Sequence, residues 1–465
     1  MKIIFLALLH LFTLPNASAI GLPAEVRAAL KQEQIPLTSI GVEVRELNAR
    51  VPLISIHAQQ PMNPASTMKL LTTYAGLEIL GPSYTWKTEA YLDGKLEKGV
   101  LQGNLILKGY GDPKFNIEQL WLWLSELRAR GLRDIKGDLV LDRSFFNVPA
   151  ENPADFDNDP MRAYNVGPDA LLLNFNTLRL RYLPDGNRLK VISEPSLDGV
   201  QLDNQLAPQP APGCENWDDS IRIQARGDSV ILQGGYPSEC GEREQNLSVM
   251  PHTRYVAAVF NAIWQELGGT LTGNTRDGTV SSTAQLFSTH YSAPLAEVVR
   301  DINKFSNNVM ARQLFLTLAT ADKTHPVATV PLGEQAMRRW LVQKELNFPE
   351  LVLENGAGLS RNARINAHHL ADLLHSAALS PMSAEFTASL PILGIDGSVK
   401  KRLKGTAAAS HAHLKTGTLE NVKTIAGYVR SSSGKEWIMV FLINHPNAKL
   451  GQAAQDALIE WLQKQ

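Results

Sequence analysis

Cysteine is scarce: Cys214 and Cys240 are the only two in 465 residues. Their spacing excludes a C-x-x-C redox or zinc motif and leaves either one local disulfide or two free thiols. Charge of one sign is lacking as well. With 45 basic against 46 acidic side chains, the chain has no net basic character with which to hold a nucleic acid. It also has no internal repeat, no low-complexity tract, no H-E-x-x-H metal motif and no G-x-S-x-G elbow. A composition 44% hydrophobic and 20% charged excludes a disordered or fibrous chain. At roughly 150 residues per domain, the length suggests about three domains.

Long apolar runs are confined to the first residues. Met1-Lys2 opens onto Ile3 to Leu9, His10 interrupts, Leu11 to Leu14 follows, and Pro15 to Ala19 closes on small residues. That is the pattern of a secretory signal, and the stretch is shorter than the roughly 20 apolar residues of a bilayer span. The expectation is cleavage after Ala19 and export, with no transmembrane segment in the mature chain. Export to an oxidising compartment favours the disulfide between Cys214 and Cys240 over free thiols.

Hydrophobic periodicity predicts strands at Ile40–Arg45 and Leu53–Ile56, then a helix from Ala65 to Leu80 stopped by Gly81-Pro82. From 87 to 163 short apolar runs alternate with turns around one helical stretch near Glu118–Ala129. Beyond Tyr164 two hairpins are expected, Leu178–Tyr182 with Leu189–Ile192 and Ile221–Gln224 with Val230–Leu232. Helical patterning returns at Tyr255–Leu267, Leu295–Leu318, Gly333–Gln343 and Ala367–Ala378. The chain closes with apolar strands at Ile425–Val429 and Trp437–Ile443 and a helix from Gln452 to Gln465. Its two ends read as halves of one α/β unit.

Ser66-Thr67-Met68-Lys69 sets a hydroxyl and an amine three residues apart at the start of a predicted helix, so both project from one face. A nucleophile and its base need that geometry. The same spacing recurs at Ser398–Lys401 and Ser432–Lys435, so the pattern alone is weak. Order strengthens it: Ser306-Asn307-Asn308 follows in a helical region, and Lys415-Thr416-Gly417-Thr418 stands just before the last strands. These three segments resemble the Ser-x-x-Lys, Ser-x-Asn and Lys-Thr-Gly motifs of penicillin-recognising serine enzymes.

The gap between Ser66 and Ser306 is too long for a compact β-lactamase. Together with Asn63–Lys69, Gly109–Pro113, Tyr164–Asn174, Gly358–Arg361 and Gly394–Ser398, it is similar to the penicillin-binding protein 4 group of serine D-alanyl-D-alanine carboxypeptidases and endopeptidases, family S13. Gly167 stands where that pattern has a second proline. The resemblance implies an α/β (α+β) fold: a β-lactamase/transpeptidase-like domain, with an antiparallel sheet flanked by helices and a helical subdomain, carrying two nested inserted domains, the inner one mostly β. The expected limits are 20–86 with 288–465 for the catalytic domain, 87–163 with 252–287 for the outer insert, and 164–251 for the inner one.

The resemblance also implies roles. Ser66 is the expected nucleophile and Lys69 its base, kept neutral by burial and by the charge of Lys415. Ser306 relays a proton to the leaving amine, and Asn308 holds Lys69 and the substrate amide. Lys415 with Thr416 and Thr418 receives the terminal carboxylate, and Gly417 permits close approach of the strand. Backbone N–H groups of Ser66 and Thr418 form the oxyanion hole. Asp142 and Arg361 are expected at the diaminopimelate end of the stem peptide, each against the alternative of an ordinary surface charge. Implied partners are peptidoglycan peptides and β-lactams, with no cofactor and a periplasmic location. A β-lactamase and a catalytically silent wall-binding protein are the competing readings.

Other features have plainer readings. His411 and His413 alternate towards Lys415 without a third metal ligand at sensible spacing. Gly356-Ala357-Gly358 reads as a turn. His368-His369 sits on a helix without chemistry, and Trp121, Trp123 and Leu127 are expected in a module core.

Overall fold

The computed structural model describes residues 20–49, 51–186, 188–210, 213–321 and 325–465; the expected signal peptide, residues 1–19, lies outside the described residues. The two chain ends build one sheet. Its five antiparallel strands run in the order Ala412–Leu419, Val422–Arg430, Glu436–Asn444, Ile40–Glu46, Ile54–Ile56. Glu436–Asn444 is central and pairs on both sides, which is why its apolar run is unbroken rather than alternating. Ile438, Val440 and Leu442 face one layer, while Met439, Phe441 and Ile443 face the other.

The second of these layers is formed by helices Ala24–Gln32 and Gln452–Gln463, through Val26, Leu30, Leu458 and Leu462. Against the opposite face pack helices Met68–Leu80, Leu295–Phe305, Asn308–Leu318 and Ala367–Ala378, through Leu71, Tyr74, Ile302, Leu314 and Leu374. Each fully buried side chain of this size contributes about 1.5–3 kcal/mol of transfer free energy. Helix Met68–Leu80 is enclosed: every residue from Met68 to Leu77 is buried. Such a helix has no solvated face, so the amine of Lys69 is drawn into the interior with it.

Between the two halves the chain leaves this layer. Strands Lys87–Glu97 and Val100–Gly109 form a hairpin, flanked by Gln285–Tyr291 on one side and by short parallel strands, including Leu139–Asp142, on the other. Helices Ile117–Ala129 and His252–Glu266 cover the sheet through Trp123, Leu127, Val259 and Phe260. Trp121 departs from expectation: it is exposed and its indole N–H donates to Glu266. Residues two apart on a helix cannot share a face, and Trp123 takes the buried one.

Farther out are two three-stranded sheets. One joins Leu178–Asp185 with Arg188–Glu194 and Arg243–Leu247; the other joins Ser229–Pro237 with Ile221–Arg226 and Gln201–Gln209. Both expected hairpins are present. The parallel pairing of Gln201–Gln209 with Ser229–Pro237 has no local signal, because a parallel neighbour arrives through a crossover. The sheets share a small core of Leu180, Tyr182, Leu232 and Tyr236, and a Cys214–Cys240 disulfide lies in this region. Among the described residues no helix is long and apolar enough to cross a membrane.

Candidate active site

Ser66 sits in a 3-10 turn, Ala65–Thr67, that runs straight into helix Met68–Leu80. Asn63 holds this turn from below. Its Oδ1 accepts from the Ala65 N–H at 2.9 Å, and its Nδ2 donates to the Ser360 carbonyl at 2.8 Å. Asn444, at the end of the central strand, accepts from the Asn63 N–H at 2.7 Å and donates to its carbonyl at 3.1 Å. Thr67 and Thr424 both donate to the Pro64 carbonyl, at 2.7 and 2.8 Å. The hydroxyl at the helix start is thereby tied to the sheet.

Lys69 Nζ lies 2.9 Å from Ser66 Oγ, 2.7 Å from Asn308 Oδ1 and 2.6 Å from the Ala357 carbonyl oxygen. The side chain is fully buried, and desolvation, followed by the charge of Lys415, holds its pKa well below the ordinary lysine value. A neutral amine has two hydrogens and one lone pair. Two of its neighbours, the Asn308 and Ala357 oxygens, accept only, so the hydrogens go to them and the lone pair faces the Ser66 hydroxyl. That is the arrangement of a base poised on a nucleophile.

The Ala357 carbonyl has no side-chain signal in the sequence. It is aimed by Gly356 and Gly358, both at positive φ, 68° and 74°. A Cβ on Gly358 would stand 1.9 Å from the Ala65 carbonyl oxygen, so the turn closes against the Ser66 loop only with glycine there.

Ser306 does not lie within a continuous helix, as the periodicity of Leu295–Leu318 suggests. It ends Leu295–Phe305 in a left-handed conformation at φ 57°, and Asn307 then caps Asn308–Leu318 by accepting from the Met310 N–H at 3.0 Å. A left-handed stop followed by an asparagine cap divides one apolar stripe into two helices. The turn is secured by Lys304, whose Nζ donates to both Asp396 oxygens at 2.9 and 2.7 Å. Asn308, first in the new helix, points its Oδ1 at Lys69 and donates from Nδ2 to the Tyr164 carbonyl at 3.2 Å.

Lys415 lies on the edge strand Ala412–Leu419. Its Nζ donates to Ser306 Oγ at 2.8 Å and to the Thr416 carbonyl at 2.7 Å, and burial lowers its pKa to about 7. A Cβ on Gly417 would come within 2.8 Å of the Ser66 nitrogen and 2.3 Å of Thr424 Oγ1, so strand and nucleophile loop touch there. Thr418 is exposed, and the Thr416 hydroxyl meets that of Ser398 at 2.7 Å. Ser398 thus belongs to the rim of the site rather than to a second nucleophile pair. The outer edge of this strand is paired with Pro391–Leu393 over Ala412–Leu414, so only its part from Thr416 onward is open to an extended peptide.

His413 shares the strand but its Nδ1 faces the Thr387 carbonyl at 3.1 Å, and His411 precedes the strand. Among the described residues no group of three potential ligands is placed to hold a metal ion.

Arg361 and Asp142 are not brought together. Arg361 stacks over the Phe156 ring and bonds to the Phe156 carbonyl at 2.9 Å and Glu420 at 3.1 Å, at the rim beyond Thr418. Asp142 is only 1% exposed and is neither a free surface charge nor directed at this rim. Its carboxylate accepts from the Ser144 N–H and hydroxyl and from the Val280 N–H, with Lys108 at 3.4 Å. Ser144 follows it closely in sequence, so a local turn takes up part of the acceptor capacity that a ligand would use.

Residues 22–465 match the D-Ala-D-Ala carboxypeptidase 3 (S13) family. The chain is 26% identical over 443 residues to the D-alanyl-D-alanine carboxypeptidase DacB of Haemophilus influenzae, covering 93% of this chain and 90% of that protein. It is 27% identical over 456 residues to a D-alanyl-D-alanine carboxypeptidase of Actinomadura sp., covering 93% and 83%. The crystal structure of penicillin binding protein 4 from Haemophilus influenzae superposes with a TM-score of 0.78 at 25% identity, covering 95% of this chain and 99% of that one.

Proposed function

The chain belongs to the D-Ala-D-Ala carboxypeptidase 3 (S13) family of serine peptidases, and we propose that it hydrolyses D-alanyl-D-alanine-type bonds of peptidoglycan stem peptides through an acyl-enzyme on Ser66. The observation that carries this reading is the buried Lys69 Nζ, 2.9 Å from Ser66 Oγ and held at 2.7 and 2.6 Å by the Asn308 and Ala357 oxygens.

Ser66 Oγ attacks the acyl carbonyl as its proton passes to Lys69. The oxyanion forms against the backbone N–H groups of Ser66 and Thr418. The C–N bond then breaks, and Ser306 supplies the proton that the leaving amine takes up. Its hydroxyl is replenished through Lys415, 2.8 Å away. Water attacks the resulting ester; its proton passes through Ser306 to restore Lys415, while the Lys69 ammonium returns a proton to Ser66 Oγ and frees the serine. Lys415, Thr416 and Thr418 receive the substrate's terminal carboxylate, and Arg361 sits at the rim for charge farther along the stem peptide.

β-Lactams acylate the same serine in this scheme. The expected limit at 287/288 cuts the strand Gln285–Tyr291, which pairs with Lys87–Glu97 throughout, so the catalytic unit is placed at 20–86 with 292–465, the outer insert at 87–163 with 252–291 and the inner one at 164–251. Cleavage of the leader after Ala19 delivers the enzyme to the periplasm, where the Cys214–Cys240 bond persists.

The test is digestion of purified monomeric muropeptides followed by mass spectrometry, alongside labelling with fluorescent penicillin. D-Ala release and a stable adduct on Ser66 are expected, both abolished in Ser66→Ala. Release that survives in Ser66→Ala overturns the assignment, and rapid turnover of the penicillin identifies a β-lactamase instead.

A further inference from the structure

Asn308 meets Lys69 with the oxygen of its amide, and what decides which end of the amide faces the lysine lies in the inserted chain. Oδ1 is 2.7 Å from Lys69 Nζ, while Nδ2 donates to the Tyr164 carbonyl at 3.2 Å. The two ends of an amide are nearly equal in shape, so hydrogen bonding alone chooses between them. Turned over, the amide would set a donor against Lys69. An amine that meets a donor there must accept with its lone pair, the one that Ser66 needs. The backbone oxygen of Tyr164 therefore keeps the base available. Tyr164 and Asn308 both line a cleft of about 910 Å3 that opens beyond Ser306, so their contact borders the site itself.

That oxygen has to be held in place. Helix Asn308–Leu318 is buried along its whole length, and one stripe of it, Val309, Arg312, Gln313 and Leu316, faces the chain between residues 146 and 172. Val309 packs with Val166 and Leu172, an apolar contact without direction. Gln313 supplies the direction. Fully buried, it accepts at Oε1 from the Asp169 N–H at 3.0 Å and donates from Nε2 to the Asp169 carbonyl at 2.8 Å. Both ends of its amide are spent on the backbone of one residue, as a neighbouring strand would spend them. Asp169 is fixed in turn: its carboxylate accepts from the Leu171 N–H at 2.8 Å and pairs with Arg143, which also holds Asp277. Tyr164 and Asp169 thus meet Asn308 and Gln313 in that order, and the chain between them lies along the helix. An apolar side chain of equal volume would fill the position without setting this register.

We propose that Gln313 is a positioning residue for the Ser66 reaction: by clamping Asp169 it holds the Tyr164 carbonyl on Asn308 and keeps Asn308 Oδ1 turned to Lys69. This rests on the acyl-enzyme function proposed above and gives the inserted chain a part in it. Gln313 acts through Asn308 rather than on the reacting atoms.

The experiment measures the rate of Ser66 acylation by fluorescent penicillin from about pH 5 to 9, each variant divided by the wild type at the same pH. Gln313→Met conserves volume and removes both bonds. Its ratio is expected to be about ten- to a hundredfold below that of the wild type at every pH, the loss that a displacement of about 1 Å brings. Gln313→Glu tests for rescue. Protonated, its carboxyl accepts from the Asp169 N–H and donates to the Asp169 carbonyl as the amide does; ionised, it sets an acceptor against that carbonyl. Its ratio is expected within about threefold of the wild type at the acid end and falls towards that of Gln313→Met as the pH rises. Asp169, Arg143, His252 and Arg312, the charged and titratable groups around the clamp, are common to all three proteins, so their titration cancels in the ratio. Wild-type rates in both variants at every pH overturn the role of Gln313 and spare the proposed function. So does a Gln313→Glu ratio as low and as flat as that of Gln313→Met, which marks a merely structural residue. If Gln313→Met loses its circular dichroism signal, the pH course of Gln313→Glu decides alone. A wild type that is not labelled at Ser66 overturns both readings.

Discussion

Lys415 Nζ stands 2.8 Å from Ser306 Oγ in an interior that lowers its pKa to about 7. A lysine there loses its charge within the range of an ordinary activity assay. Lys69 must be neutral to accept the Ser66 proton, so activity rises as pH climbs through its depressed pKa. Lys415 must be charged to receive a carboxylate, so activity falls as pH passes above about 7. The kcat/KM profile reports the free enzyme, and its alkaline limb is expected near pH 7 for a substrate ending in a carboxylate. Lys415→Arg keeps its charge and should abolish that limb at a lower plateau, because the planar fork does not reproduce a point charge. A wild-type profile flat from about pH 6 to 10 would refute the assignment.

Gly417 has no room for a side chain between Thr424 and Ser66. In Gly417→Ala the strand is expected to move off the nucleophile loop and misplace the Thr418 N–H. Losing one oxyanion donor costs about 10²–10³ in rate. The penicillin acylation rate should fall by that order while the far-ultraviolet circular dichroism is retained; acylation within threefold of wild type would count against the contact.

Asn63 satisfies the Ala65 N–H and the Ser360 carbonyl in a buried position. Asn63→Ala strands both, at about 1–3 kcal/mol for a buried unsatisfied group. A lower denaturation midpoint and slower Ser66 labelling are expected together, since the same bonds secure the fold and aim the hydroxyl. Loss of stability with labelling intact would separate the two roles.

The Cys214–Cys240 bond closes a local loop beside the small core of the inner sheets. In the chain-entropy account a loop of this length contributes about 3–4 kcal/mol. Cys214→Ser with Cys240→Ser should lower the first thermal transition in calorimetry while penicillin labelling at 25 °C stays at the wild-type rate. Lost labelling would mean that the inner sheets support the catalytic turn.

Where the chain signals through side chains, the outcome was readable beforehand. The run at Trp437–Ile443 is apolar enough for a central strand, and Gln452–Gln463 showed its buried face through Leu458 and Leu462. Ser66 and Lys69 are neighbours in sequence, so helix geometry alone put them side by side. Ser306 was harder to read. The apolar stripe runs on through it, and the stop depends on a backbone conformation that Lys304 and Asp396 hold from outside the segment.

Composition, order and spacing were enough to single out the side chains that the fold brings together at Ser66, Lys69, Ser306 and Lys415, and the alternation of strands and helices, because these are written in side chains and short-range periodicity. The partners that make the groups reactive were not accessible in that way. The Ala357 oxygen that takes a Lys69 hydrogen belongs to the backbone, the turn that occupies Asp142 leaves no mark in charge or hydropathy, and the cleft beyond Ser306 has walls drawn from six separate stretches of chain. Carbonyls, burial and cavities arise only when distant segments meet, and packing alone settles which ones do.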